Sequence, residues 1–465
     1  MHETLLRGAR AVVTMDDARR VLQNADVHCR GPRIVAVGEG LEAPAGAEVI
    51  DCRGAIVIPG LINTHHHLYQ TLSRAVPAVA SSPLFDWLVK LYEVWRELDV
   101  EAARVGALVG LGELLLTGCT TTADHHYLFP RSQPDTILDE TIAAAAAVGI
   151  RFHPTRGSMS RGRSLGGLPP DDVVQDEDHI LRDCERVVER YHDPSELSMC
   201  RFSLAPCSPF SVTPTLMERV AVLARRLGVR LHTHVAETSD ENDYCLKIYG
   251  QRPVAFMEQC GWLGPDVWYA HGIHFDDDEI ALLGRTRTGV AHCPTSNLRL
   301  GSGICRVPAL RAAGVPVGLA VDGSASNDCS SMLNEVKLAL LVHRVGTGVD
   351  AMPPMTALEL GTRGSAAVLG RGDIGLIAPD KAADIAIFDL GELGYAGTHD
   401  PLGALLMCGT STRARTVLVN GKVVVRAGRL VGVDEAELAR RAQTIAEGML
   451  ARASARTGID YLAAR

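Results

Sequence analysis

Between residues 59 and 370, short apolar stretches alternate with longer segments in which apolar residues recur at helical spacing. Eight candidate strands end within "IVIPGLINTHHH", "GCTTTADHH", "RFHPTRG", "RFSLAPCS", "VRLHTHVAE", "VWYAHG", "TGVAHCP" and "VGLAVDG". Helical patterns lie between them at 101–117, 136–149, 178–191, 214–227, 240–260, 276–284 and 306–313. Strands that alternate with helices form parallel sheets, and eight such units close into a barrel. The pattern therefore predicts an α/β fold built on a (β/α)₈ TIM-type barrel.

The two ends of the chain have a different pattern of apolar and polar residues from the middle. Short alternating strands occupy residues 1–58 and return in "ADIAIFDL" and "TVLVNGKVVVRAG", where Asn420-Gly421 is typical of a hairpin turn. We predict one small β-sandwich domain formed from residues 1–58 and 373–432, with the barrel at 59–372. The stretch "DEAELARRAQTIAEGMLARA" has acidic residues first and predicts a helical segment within 433–465.

Composition excludes several classes of function. The formal net charge is −9 and the pI is about 6.0, which argues against a nucleic-acid groove, since such a groove concentrates Lys and Arg. No apolar stretch approaches the roughly 20 residues of a membrane span, and the first residues lack the apolar core of a signal peptide. The 12 cysteines include no C-x-x-C pair, which indicates reduced thiols. We predict a cytoplasmic protein that binds neither nucleic acid nor membrane.

Most candidate strands end in a residue capable of catalysis or metal binding. Residues two apart on a strand face the same side, so His65 and His67 can bind one ion together while His66 points the other way. An isolated H-x-H pair is more often a solvated loop or a core feature than a metal site. That alternative weakens because His234 and Asp322 also end strands, and the strand ends of a barrel converge on one face.

Five ordered motifs then carry a family resemblance: "PGLINTHHH", "LHTHVAET", "YAHGIHF", "AHCPTSNLRLGSG" and "VDGSASND". Together they resemble the metal-dependent amidohydrolase superfamily, in particular its mononuclear aminohydrolase branch. The resemblance implies a metal held by His65, His67, His234 and Asp322. Imidazole and carboxylate ligands suit Zn²⁺ or Fe²⁺. Binuclear relatives use a lysine after strand 4, where this chain reads "RFSLAPCSPF", so we expect one divalent metal, Zn²⁺ or alternatively Fe²⁺.

The same resemblance assigns the catalytic roles. Glu237, three residues after His234 in "HVAE", would carry a proton to the ring nitrogen beside the reacting carbon. His271 would hydrogen-bond the attacking water, and Asp322 would act as both ligand and base. The competing interpretation of Glu237 is an acidic residue at a helix N-terminus. His232 faces the same side as His234, but the resemblance gives it a supporting or core position instead of a ligand position.

Four further residues are candidates for binding the substrate. Gln70 offers a donor and an acceptor to a planar ring, as related deaminases do at this position. Arg156 ends strand 3 and would bind a carbonyl oxygen, with a structural salt bridge as the alternative. Trp87 would cap the pocket, or else be a buried core aromatic. His292 would line the pocket, or else serve packing. Four other histidines stay unassigned: His125, His126, His153 and His274.

At finer scale, "THHHLYQTLSRAV", "CTTTADHHYLFP", "GWLGPDVWYAHGIHF" and "GSASNDCSSM" resemble the bacterial 8-oxoguanine deaminases. The resemblance implies hydrolysis of a small heterocyclic substrate by a homo-oligomeric enzyme, with 8-oxoguanine and water giving urate and ammonia. Hydroxy-s-triazine, isoxanthopterin and guanine aminohydrolases share much of this frame and remain alternatives. A different class, a metal-free binding protein on the same fold, is disfavoured because every expected ligand is present.

Overall fold

The computed structural model describes residues 2–408 and 413–463. The predicted domains extend to residues 1 and 465 and cross 409–412, and these positions lie outside the described residues. The strands are β1 Glu3–Val13, β2 Val21–Arg30, β3 Arg33–Gly38, β4 Glu48–Asp51, β5 Ala55–Pro59, β6 Leu61–Asn63, β7 His66–His67, β8 Cys119–His126, β9 Arg151–Ser158, β10 Ser203–Pro206, β11 Arg230–Val235, β12 Val267–His271, β13 Gly289–His292, β14 Val317–Leu319, β15 Asp322–Gly323, β16 Ile385–Asp389, β17 Thr416–Val419, β18 Lys422–Arg426 and β19 Arg429–Leu430. The α-helices are α1 Leu84–Trp95, α2 Val100–Leu116, α3 Ile137–Val148, α4 Glu177–Tyr191, α5 Pro214–Leu227, α6 Ser239–Tyr249, α7 Pro253–Gln259, α8 Asp277–Thr286, α9 Pro294–Arg299, α10 Val307–Ala312, α11 Ser324–Asn327, α12 Met332–Val342, α13 Pro354–Glu359, α14 Ser365–Val368, α15 Pro401–Met407 and α16 Glu435–Thr457.

The middle of the chain forms the barrel. Its parallel sheet has eight strands in the order β14-β13-β12-β11-β10-β9-β8-β6. These strands are buried along nearly their whole length, because helices cover their outer face and side chains fill the interior. The gap between the first and last strand is bridged by a short parallel pair of β7 with β15. The predicted (β/α)₈ barrel is confirmed.

The predicted helices occur close to their expected positions, with one instructive difference. The segment 240–260 was expected to be continuous but forms two helices, α6 and α7. Gly250 ends α6 with a left-handed φ of 72°, and Pro253 begins α7. A glycine after a helix and a proline at the first position of the next are ordinary stop and start signals. The sequence pattern also did not predict α1, which lies between β7 and β8, or α12, which follows β15.

The two ends of the chain meet in one nine-stranded sheet. Strands β1–β5 come from the N-terminal part and β16–β19 from the C-terminal part, joined where β5 pairs antiparallel with β16. The hairpin between β17 and β18 turns at Asn420 and Gly421, with φ values of 47° and 73°. Positive φ at both central residues is the reason that Asn-Gly predicts such a turn, and this prediction is confirmed.

The long C-terminal helix α16 packs against the barrel helices α1 and α2. Asp434 caps its N-terminus, and the side chain of Asp434 accepts from the backbone N–H of Glu437. Near its end, Arg456 pairs with Glu93 of α1 and Arg452 donates to Glu97 at 3.1 Å. The helix therefore braces α1 from outside. Across the described ranges, no helix combines the length and apolar character needed to cross a membrane.

A buried ion pair joins the barrel to the β domain. Arg151, the first residue of β9, donates to both carboxylate oxygens of Asp384 at 3.1 Å. Its remaining N–H groups reach the carbonyls of Leu197 and Ser198 at 2.7 and 2.6 Å and the side chain of Asn420 at 2.6 Å. Both ionic partners are buried, so the pair is fully desolvated and fully hydrogen-bonded.

Replacing Arg151 with alanine should destabilise the chain strongly, because Asp384 would remain buried without its counter-charge. The expected loss is about 3–5 kcal/mol in the free energy of unfolding. The matched control is Arg104→Ala, since Arg104 forms a partly exposed pair with Glu140; its loss should be about 0–1 kcal/mol. Denaturant unfolding followed by tryptophan fluorescence measures both. Equal losses in the two variants would contradict the assignment of Arg151 as the joint between the two units.

Candidate functional site: a histidine and aspartate centre at the barrel mouth

The closure of the barrel brings the first and last strands together at its mouth. The backbone N–H of Thr64 donates to Leu319 at 3.1 Å, and that of Asp322 donates to His65 at 3.2 Å. Consequently the Nε2 atoms of His65 and His67 lie 3.2 and 3.3 Å from Oδ1 of Asp322. Residues separated by about 255 positions in sequence therefore share one centre.

His234, on β11, completes this group. Its Nε2 lies 3.2 Å from Nε2 of His67. The Nδ1–H of His67 donates to the carbonyl of His125 at 2.8 Å, and the Nδ1–H of His234 donates to that of Cys207 at 2.6 Å. Burial lowers the pKa of both imidazoles, so each is neutral. With the hydrogen on Nδ1, both Nε2 atoms present lone pairs to one another.

The imidazole of His65 is oriented by a chain of two hydrogen bonds. The carbonyl of Trp268 can only accept, so Nδ1–H of His232 donates to it at 3.0 Å and Nε2 of His232 is an acceptor. That Nε2 receives the Nδ1–H of His65 at 2.7 Å. Burial lowers the pKa of His65 well below its usual value. Its Nε2 is therefore also a lone pair, buried and without a hydrogen-bond partner among the described residues.

The remaining partner is a carboxylate oriented by two hydroxyl groups. Oδ2 of Asp322 accepts from Ser296 at 2.6 Å and from Ser326 at 3.0 Å, which leaves Oδ1 facing His65 and His67. Three imidazole lone pairs and one carboxylate oxygen thus converge with no donor between them. Such a set of acceptors is stable only around a cation, and its N and O ligands suit Zn²⁺ and similar divalent ions. The residues present therefore fit a divalent metal.

His66 and His125 take different places around this centre. His66 turns away from it, and its Nε2 lies 3.0 Å from Oγ of Ser330. His125, unassigned from sequence, stacks on His234 with ring centroids 4.8 Å apart. Its side-chain nitrogen can lie within 4.8 Å of ligand atoms of the three other histidines. Only the strand-end position of "ADHH" pointed toward this proximity.

Glu237 lies beside the centre, in a turn that is held by hydrogen bonds. Ala236 adopts a left-handed φ of 56°, and the buried carboxylate of Glu241 accepts the backbone N–H groups of Ala236 and Glu237, both at 3.0 Å. The side chain of Glu237 lies 3.5 Å from Nε2 of His271. Burial raises the pKa of Glu237 to about 7, which allows the carboxyl to give and take a proton at neutral pH.

His271 is fixed between two polar groups. It ends β12 with a φ of 72°, and its Nδ1 lies 3.0 Å from Oδ1 of Asn297. Burial opposes protonation of His271, but the carboxylates of Glu237 and Asp322 outweigh it and raise its pKa. The structure thus brings together all the predicted metal and catalytic residues at one end of the barrel.

A pocket opens from this centre. Its lining includes His67, His234, Glu237, His271 and Asp322, and also the predicted substrate-binding residues Gln70 and Trp87. The side chain of Gln70 lies directly over Gly323, where a Cβ atom would approach its Oε1 to 1.8 Å. Gly323 is therefore required for Gln70 to occupy its position beside Asp322.

Neither Arg156 nor His292 is among the described residues that line the pocket. Arg156 pairs with Asp183 and the carbonyl of Gly157, and donates to Gln175 at 2.8 Å. Its guanidinium has become a buried structural group between the barrel and α4. Nε2 of His292 lies 3.1 Å from that of His343. The structural alternatives fit both residues better than substrate contact does.

Sequence reasoning missed the pocket wall formed by α1. Leu84, Trp87, Leu88 and Tyr92 lie along one face of this helix and all line the pocket. The spacing of Leu84, Leu88 and Leu91 after a proline would have predicted the helix. Nothing in that spacing indicates which partner its apolar face meets.

Comparison with known proteins agrees with this geometry. The sequence profile described as "Amidohydrolase family" matches residues 56–424. The chain belongs to the amidohydrolase family. Membership makes it a hydrolase, and the resemblance found in the sequence is confirmed.

Individual members of the amidohydrolase family match over nearly the whole chain. The 8-oxoguanine deaminase of Pseudomonas aeruginosa is 48% identical, with 97% of this chain and 100% of the relative covered. An isoxanthopterin deaminase from an unknown prokaryotic organism is 38% identical, covering 96% and 97%. The atrazine chlorohydrolase of Arthrobacter aurescens TC1, solved in complex with zinc, superposes with a TM-score of 0.92 at 37% identity, covering 95% of this chain and 100% of that one. The prediction of an aminohydrolase is confirmed.

Proposed function

We propose that this amidohydrolase is a metal-dependent deaminase that converts 8-oxoguanine and water to urate and ammonia. One observation carries the reaction class: three oriented imidazole lone pairs and Asp322 converge beside a buried, clamped Glu237. The substrate assignment is supported by the similarity to an 8-oxoguanine deaminase over the entire length of that relative.

The metal would be held by Nε2 of His65, His67 and His234 and by Oδ1 of Asp322, and we propose a single ion. A divalent ion held there would supply Lewis acidity and would lower the pKa of a water molecule toward about 7. Zn²⁺ is favoured because the similar atrazine chlorohydrolase was solved with zinc. Every proposed ligand is buried, so the surrounding side chains shield the site from bulk solvent.

The reaction adds water across a C=N bond and then expels ammonia. Attack on the carbon that bears the amino group requires the adjacent ring nitrogen to gain a proton. Glu237 is the group to supply it, because its pKa of about 7 leaves both protonation states populated at neutral pH. His271 lies 3.5 Å from Glu237 and would orient the attacking water. Asp322 would accept the proton of that water.

The pocket residues would orient the heterocycle. Gln70 offers a carbonyl oxygen and an N–H₂ group to the ring edge next to the reacting carbon. Trp87, Phe210 and Leu300 supply apolar surface for the ring faces. These contacts hold the amino-bearing carbon toward Asp322 and exclude bulk water from it.

Two broader predictions accompany this function. We propose that the enzyme is a homo-oligomer and acts in the cytoplasm, as expected from the sequence resemblance and from the reduced cysteines. Small-angle scattering of the purified chain measures the first, and fractionation of the source cells measures the second.

Substitution of the histidine run should separate ligand from neighbour. His67→Ala should lose most of the bound metal, because one of four converging ligand atoms disappears. His66→Ala is the matched control and should retain about one ion per chain, because His66 contacts Ser330 and faces away from the ligands. Elemental analysis of both purified variants measures the difference. Two tightly bound ions in active wild-type enzyme would refute the mononuclear site.

Glu237→Gln keeps the size and polarity of the side chain but cannot exchange a proton. Turnover should fall by at least about 10²-fold. Metal content should remain near that of the wild type, because Glu237 is not one of the converging ligands. Single-turnover kinetics on metal-replete enzyme measure the effect. A replete variant with wild-type turnover would remove Glu237 from the mechanism.

Ammonia release across a substrate panel tests the proposed reaction directly. The panel comprises 8-oxoguanine, guanine, isoxanthopterin and a hydroxy-s-triazine under identical conditions, with kcat/KM as the readout. We expect 8-oxoguanine to lead, because buried polar groups that bind a particular carbonyl or N–H reject analogues that lack it by up to about 10⁴–10⁵-fold. If guanine or the triazine leads instead, the deaminase assignment survives and the substrate assignment fails. Absence of ammonia from every compound would overturn both.

A further inference from the structure

Three polar side chains line the pocket with atoms that have no hydrogen-bond partner. These atoms are Oε1 of Gln70, Nε1 of Trp87 and the hydroxyl of Tyr92, and each has none among the described residues. Their side chains are 2%, 3% and 0% exposed. A buried polar atom without a partner is energetically unfavourable, because it has lost its hydrogen bonds to water. Three such atoms around one pocket indicate that a ligand satisfies them.

Two of the three come from α1, and both line the pocket. Trp87 and Tyr92 lie five residues apart, and Leu84 and Leu88 lie between and before them on the pocket side. The leucines offer only apolar surface, so the polar atoms of Trp87 and Tyr92 have apolar side chains beside them on the pocket wall. We call Trp87 and Tyr92, with Leu84 and Leu88 around them, the α1 wall.

The chemistry of the α1 wall is that of a donor pair. An indole Nε1–H donates and cannot accept. Burial raises the pKa of Tyr92 well above its usual value, so the phenol keeps its hydrogen. The Tyr127 side chain lines the same pocket near this hydroxyl, and the Tyr92 hydrogen can turn from it to an acceptor on a ligand. A ligand atom that meets both must be an acceptor, and a carbonyl oxygen with two lone pairs can receive both hydrogens.

The reacting end of the substrate is fixed elsewhere in the pocket. The amino-bearing carbon must lie at Asp322 and Glu237, and Gln70 stands over Gly323 beside Asp322. In a fused bicyclic substrate, the carbonyl of the second ring lies at the opposite end from that carbon. This carbonyl is therefore the substrate group available to the unpaired donors of Trp87 and Tyr92.

We propose that Trp87 and Tyr92 recognise the second-ring carbonyl of the substrate, the 8-oxo oxygen of 8-oxoguanine, and so set the preference for an oxidised purine over guanine. This rests on the proposed function and deepens it by naming the residues that determine specificity. The α1 wall itself is braced by α16, whose Arg456 pairs with Glu93 and whose neighbouring Tyr461 donates to the carbonyl of Lys90 at 3.0 Å.

The test compares Tyr92→Phe and Trp87→Phe with the wild type on 8-oxoguanine and guanine. Each variant removes a donor but keeps an aromatic ring in the wall. The loss of kcat/KM on 8-oxoguanine should exceed the loss on guanine by about 10- to 100-fold, since only 8-oxoguanine leaves an oxygen unpaired. The control is Tyr191→Phe, because Tyr191 stacks on Phe202 away from the pocket and should leave the substrate ratio unchanged.

Binding of products gives a readout independent of turnover. Urate carries the 8-oxo oxygen and xanthine does not, so Tyr92→Phe should weaken inhibition by urate much more than inhibition by xanthine. If wild-type enzyme deaminates 8-oxoguanine and both variants lower both substrates equally, the wall is merely structural and the inference is overturned while the function stands. If wild-type enzyme does not act on 8-oxoguanine, the proposed function fails, and the inference fails with it.

Discussion

The site depends on one junction, the backbone pairing of the first barrel strand with the last. Asp322 donates to the carbonyl of His65, and β7 runs parallel to β15 beside it. This pairing is what places a carboxylate oxygen about 3 Å from two imidazole nitrogens supplied by the opposite end of the barrel sequence. Without closure, the H-x-H pair would be two ligands on an open sheet edge, too few to hold a catalytic metal.

Strained backbone accompanies the functional residues at this junction. Asp322, His271 and Ala236 all have φ between 56° and 72°, a region that residues with a Cβ seldom adopt. Each is over-determined by its neighbours: serine hydroxyls hold the carboxylate of Asp322, an amide holds His271, and the carboxylate of Glu241 holds the turn at Ala236. The local conformational cost is thus offset by hydrogen bonds whose geometry also aims the reacting groups.

How much of this could be predicted from sequence depends on what each residue needs. The strand pattern placed His65, His67, His234 and Asp322 at strand ends, which a barrel gathers on one face, and the family resemblance then named them as the ligands. Arg156 shows the limit of that argument. Its place at the end of β9 was predicted, but its side chain faces α4 and pairs with Asp183. A position at a strand end predicts at which end of the barrel a residue lies. The direction of its side chain depends on the packing of the helices, which the sequence pattern does not predict.

The α1 wall shows a second limit of sequence-based prediction. It explains why substrate specificity is harder to predict from sequence than the class of reaction. The helix itself follows from local spacing, but its tertiary partners include α16, which comes from the far C-terminus and packs against it. The metal centre uses histidines and an aspartate at strand ends, and such a group of ligands can be recognised in the sequence. Recognition of the second ring uses a tryptophan and a tyrosine, residues that most often serve a core. Their role becomes visible only when the folded chain leaves Nε1 of Trp87 and the hydroxyl of Tyr92 buried and unpaired in the same pocket as Glu237.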